Sequence, residues 1–152
     1  MRLTSNRLAN LIAATTGESE IYLQRSIRNM IQKDVIPTTP DHLDNRGTRL
    51  MTREVAVATI LLLELSKFAV DARGLRAVSK GLLDTEKYPE GRLARIVQEM
   101  LRGMNYALLV YREEGEIRVG FGGPNGGMRE AHFRVTLKPV LLEASRKIYL
   151  ES

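Results

Sequence analysis

The chain has 152 residues, 43% hydrophobic and 27% charged, with a formal net charge of +5. That is the composition of one soluble globular domain, or of a small domain with an appendage, and it excludes disorder as the main theme. There is no cysteine, so disulfides and thiolate zinc sites are excluded; His42 and His132 lie far apart and make no metal signature. The longest apolar run, around Ile60–Leu63, is broken by Glu64 and falls short of a membrane span. The N-terminus lacks the basic-then-apolar layout of a signal peptide. The expectation is a cytoplasmic protein without membrane contact. Arginine supplies 17 of the 23 basic residues, and residues 1–53 carry eight basic and five acidic ones. This balance favours an anionic partner, nucleic acid first.

In chain order, Ser5 is placed to cap a first helix that runs through Thr15 with Leu8, Leu11 and Ile12 at helical spacing, and Gly17 stops it. Ser19 caps a second helix, about Glu20–Lys33, whose apolar positions Leu23, Ile27, Met30 and Ile31 make one stripe. Arg25, Arg28, Asn29 and Gln32 fall mainly off that stripe, and Tyr22–Lys33 contains no acid. Pro37–Met51 changes character. Its string Asp44-Asn45-Arg46-Gly47-Thr48-Arg49 reads as a short hairpin with an exposed basic tip.

Thr52 opens a third helix, apolar almost all round from Val55 to Leu65 and therefore central. After a break near Ala69–Asp71, a fourth helix is expected over Ala72–Leu83, and after a linker at Asp84–Pro89 a fifth over Glu90–Met104. The period then switches to strands at Tyr106–Arg112 and Glu116–Phe121, joined by Glu113-Glu114-Gly115. A glycine-rich loop, Gly122–Gly127, leads to a third strand at about His132–Leu137. Pro139 suits the first turn of a closing helix, Val140–Leu150.

A helix enters a major groove when one face packs on its own domain and the other offers guanidinium, amide and hydroxyl groups. The Glu20–Lys33 segment has that division, and the Asn45–Arg49 turn is placed to supply phosphate donors beside it. Helix, turn, helix, then basic hairpin is a winged helix-turn-helix order. The glycine loop is not a phosphate loop, because Met128 and Arg129 follow where a lysine, a hydroxyl and a helix are needed. The acids Glu113, Glu114 and Glu116 cluster at a hairpin turn, where acids face water. Phe68, Tyr88, Tyr106 and Tyr111 are too scattered for a single-strand stacking platform.

Residues 3–83 resemble the DNA-binding domain of the MerR family of transcription regulators. Leu8-Ala9 through Thr16-Gly17 resembles that family's first helix and closing glycine. Ile27-Arg28-Asn29-Met30 followed by Val35-Ile36-Pro37 resembles its recognition helix, with Asn29 and Met30 where the family has aromatics. Gly47 through Val55 resembles its wing end, with Thr48 and Met51 in place of tyrosines, and Phe68 through Leu83 resembles the helix pair that follows. The resemblance implies that Arg28 is the recognition-helix arginine and Arg49 the wing arginine.

The fold expected is α+β. A winged helix-turn-helix domain over residues 1–84 is followed, over 85–152, by a helix, a small antiparallel sheet and a C-terminal helix. The function expected is sequence-specific binding of duplex DNA by a transcription regulator, with no enzymatic activity, metal or cofactor. The contact residues are Tyr22, Gln24, Arg25, Arg28, Asn29 and Lys33 on the helix, and Asn45, Arg46, Thr48 and Arg49 on the wing at about 44–51. A homodimer is expected, with the C-terminal half serving dimerisation or a protein partner or effector. Two alternatives stand beside this reading: an excisionase-like DNA-bending protein of a mobile element, and a small-ligand domain built on the C-terminal sheet.

Overall fold

Thr4 is extended and its hydroxyl accepts from the Arg7 amide at 3.2 Å, so α1 (Ser5–Thr16) starts there. The cap is thus one residue earlier than the expected Ser5. These coordinates come from a computed structural model that describes residues 3–37, 50–84, 86, 91–104, 106–122, 133–136, 143–144 and 146–148. Gly17, at φ 76°, ends α1 in the left-handed region, as its position suggested. The side chain of Ser19 then caps α2 (Glu20–Gln32) by accepting from the Tyr22 amide. Asp34, at φ 54°, closes α2 and lets Val35 and Ile36 turn back into the core.

The strand β1 (Leu3–Thr4) pairs antiparallel with β2 (Leu50–Met51), with Leu3 opposite Met51, and both of these side chains are buried. Thr52 caps α3 (Arg53–Ser66), whose residues from Ala56 to Leu63 are all buried. A helix apolar on every side must be enclosed by other elements, and α1, α2 and α4 (Ala72–Leu82) share one core with it. Asp71 caps α4 through the Gly74 amide at 2.8 Å.

The helix α5 (Arg92–Leu101) is shorter than the expected Glu90–Met104. Gly91 and Gly103, both at positive φ, bracket it. The strands β3 (Ala107–Glu113), β4 (Glu116–Gly122) and β5 (Phe133–Thr136) form an antiparallel sheet in the order β4-β3-β5. The β3–β4 connection is two residues, not three. Glu114 at φ 53° and Gly115 at φ 79° have the two positive φ values of a type I′ turn, and Glu113 belongs to the strand. Gly120 and Phe121 lie in β4, within the expected strand, and Gly122, expected to open the glycine-rich loop, is paired there too; residues 123–127 lie outside the described residues. Of the closing helix, residues 143–144 and 146–148 are helical, and Ala144 and Ile148 are buried. The described chain is therefore mixed α and β, with two small antiparallel sheets.

An open strand edge invites pairing with another chain. Here α4 packs against β4, an outer strand, and one β4 carbonyl is engaged. Arg92 donates to the carbonyls of Gly81 and Val119 at 3.4 and 3.2 Å, and its guanidinium lies 5.1 Å from the Phe121 ring centre. At Gly81 the missing Cβ leaves room for Val119, whose Cγ2 would otherwise sit 2.9 Å away.

The N-terminus of α5 has no cap from its own Gly91, and α3 supplies one. Glu54 Oε1 accepts from the Ala94 amide at 3.2 Å. Burial raises the Glu54 carboxyl above the usual carboxylate value, and the Ala94 hydrogen bond only partly opposes this. A group with a raised folded pKa binds its proton more tightly in the native state, so its contribution to stability falls as pH rises through that range. The Glu54→Gln variant should therefore lose this pH dependence. In urea melts between about pH 4 and 7, the native-minus-variant stability difference should decline with pH; a flat difference would remove Glu54 from the linkage.

Candidate nucleic-acid interface

The helix α2 sorts its residues by face. Leu23, Ile27 and Met30 are buried, and Ile31 is half-buried. Ile21, Tyr22, Arg25, Arg28, Asn29, Gln32 and Lys33 are exposed. At 3.6 residues per turn these seven fall in an arc of roughly 140° opposite the buried stripe, with Arg25 near its middle. No acid lies on that arc.

The one acid of α2 is turned aside. Glu20 Oε2 accepts from Asn10 of α1 at 3.2 Å, and its Oε1 accepts from Gln24 at 3.1 Å. The expected contact residue Gln24 is therefore half-buried at the flank of the arc, with its amide already engaged. Arg28 is steered from α1 as well, since its Nη2 donates to Asn6 Oδ1 at 3.2 Å. Asn6 and Asn10, four residues apart on the exposed side of α1, thus fix two side chains of α2. The side chains of Arg25 and Asn29 make no hydrogen bond or ion pair with another described residue, and both residues are exposed.

The turn into α2 is braced from behind. Lys67, just past α3, binds Glu18 at 2.6 Å and Glu64 at 2.8 Å. Burial alone would lower the Lys67 ammonium, but these two hydrogen bonds outweigh it and the pKa is raised. At the other end, the carbonyl of Lys33 accepts from Arg76 of α4 at 2.9 Å while its ammonium stem is exposed. Both ends of α2 are thereby anchored to the helical core.

Tyr22, Arg25, Arg28, Asn29 and Lys33 share the exposed face. The wing candidates Asn45, Arg46, Thr48 and Arg49 lie outside the described residues, as do His42 and His132. The steering pair Asn6 and Asn10, and the exposed Ile21, were not among the sequence candidates. The i, i+4 spacing of the two asparagines is the signal that could have drawn attention to them.

A concavity lies between α4 and the β3–β4 hairpin, with a volume of 1290 Å³. Its lining mixes six basic residues, among them Arg73, Arg76, Lys80 and Arg112, with five acids, Asp34, Asp71, Asp84, Glu86 and Glu116. Asp71 is spent on capping α4 and Glu116 pairs with Arg118 at 3.1 Å. Among the described residues no group of three or more His, Asp or Glu side chains is placed to hold a metal ion, and no helix is long and apolar enough to cross a membrane. Compared with protein-family models, with curated proteins and with solved structures, the chain matches none.

Proposed function

We propose that the chain is a winged helix-turn-helix protein of MerR-like type that binds duplex DNA through α2 and regulates transcription. One observation carries the reading: the outward face of α2 holds Arg25, Arg28, Asn29 and Lys33 with no carboxylate, while its opposite face is locked into the core. Two features support it. The α1–α2 connection, Gly17–Ser19, is three residues long and contains a glycine at positive φ, the kind of turn that joins helices in this motif. Guanidinium groups on such a face match the acceptor edge of guanine and the phosphates flanking it.

In this reading α2 lies in the major groove. Arg25 and Arg28 meet base edges or phosphates, Tyr22 and Asn29 reach bases beside them, and the 44–51 segment rests its Arg46 and Arg49 on the backbone. The protein acts as a homodimer, with Leu101 at the last position of α5 and Met104 just beyond it as exposed apolar side chains available for pairing. Selection of duplexes from a randomised pool tests this. The expected result is enrichment of two inverted half-sites separated by about one helical turn. A pool that stays random through repeated rounds would overturn the reading, and a sedimentation mass of a single chain on the selected duplex would overturn the dimer.

A further inference from the structure

We propose that Ile21 and Tyr22 read thymine, laying an apolar contact on C5-methyl groups in the major groove beside the bases or phosphates held by Arg25. The inference rests on the DNA-binding reading of α2 and names what that face selects.

A large apolar side chain left on a solvent face gains when a partner covers it. Ile21 and Tyr22 are 64% and 56% exposed, and as consecutive residues they point about 100° apart, both within the exposed arc. With Ser19 as cap, they are the second and third residues of α2. A groove-bound recognition helix directs its N-terminal residues at base edges, so these two positions are the ones that would meet bases first.

The surroundings narrow the occupant. The two side chains share their arc with Arg25, Arg28 and Asn29, and Glu20 is drawn off it by Asn10 and Gln24. The complementary surface must combine negative charge with small apolar groups. A duplex major groove does so where thymine places its methyl next to acceptor atoms; the minor groove offers no methyl.

The test removes the methyl and nothing else. In the duplex selected by the native chain, each thymine of the half-site is replaced in turn by deoxyuridine, which keeps pairing and hydrogen bonding. The expected result is a three- to fivefold loss of affinity at one or two positions, the worth of one buried methyl. In Ile21→Ala or Tyr22→Ala, at least one of those replacements should cost nothing further. Both residues are exposed, so each variant should melt at the native temperature. Equal affinity of the native chain for every thymine and deoxyuridine duplex overturns the inference, as does an undiminished loss in both variants or a selected half-site without thymine. A native chain that binds neither duplex fails earlier, at the DNA-binding reading itself, and the two failures are told apart by that first measurement.

Discussion

The Arg25→Ala variant should bind its selected duplex roughly 5- to 150-fold more weakly, the loss of about 1–3 kcal/mol that follows removal of an arginine reading a base. Arg25 stands near the centre of the exposed arc of α2 and forms no ion pair with a described residue, so its removal leaves the folded state intact. Circular dichroism and thermal melting should match the native chain while fluorescence anisotropy reports the weakened complex. Arg25→Lys should recover only part of the affinity, because an ammonium keeps the charge but cannot form the paired hydrogen bonds of a guanidinium. Recovery to the native value would assign Arg25 to phosphate rather than to a base.

Truncating the hidden face of the same helix should do the opposite. Ile27 is fully buried. Ile27→Ala removes its contacts and leaves a cavity between α2 and the core, which costs about 2–5 kcal/mol. At that cost a domain of this size loses much of its stability, and the urea midpoint should fall well below the native one. Ile31, half-buried on the edge of the stripe, should cost clearly less. A native-like midpoint for Ile27→Ala would mean that α2 does not use the stripe to seat itself. The pair of variants thus separates the two faces of one helix, the one proposed to bind and the one that folds.

Much of the fold could be read from local chemistry. Ser19, Thr52 and Asp71 stand where a hydroxyl or carboxylate must meet the first free amides, and all three do so. The stripe of α2 and the all-apolar α3 followed from spacing alone. What stayed hidden depends on residues distant in sequence. The β1–β2 pairing joins two strands of two residues each, too short to show an alternating pattern. Whether Glu54 would cap α5 or face water is decided by where the fold places Ala94, forty positions later. At the end of α5 the apolar spacing continues to Met104, while Gly103, at positive φ, has already turned the chain.

The candidate face shows the same division. That Arg25 and Arg28 project from α2 is written in the helical period. That Asn6 holds Arg28, that Asn10 draws on Glu20 and that Ile21 is left uncovered are tertiary facts, whereas the Gln24–Glu20 contact is an i, i+4 pair within α2 itself.

The most direct measurement is a titration of labelled duplex DNA at a series of salt concentrations between about 50 and 200 mM. If α2 lies against phosphates and bases, the logarithm of the binding constant falls linearly with the logarithm of salt, by about 0.9 for each phosphate neutralised, and Lys33→Ala lowers that slope by about one. Absence of binding at the lowest salt, or binding that neither salt nor Arg25→Ala disturbs, would contradict a nucleic-acid face on α2.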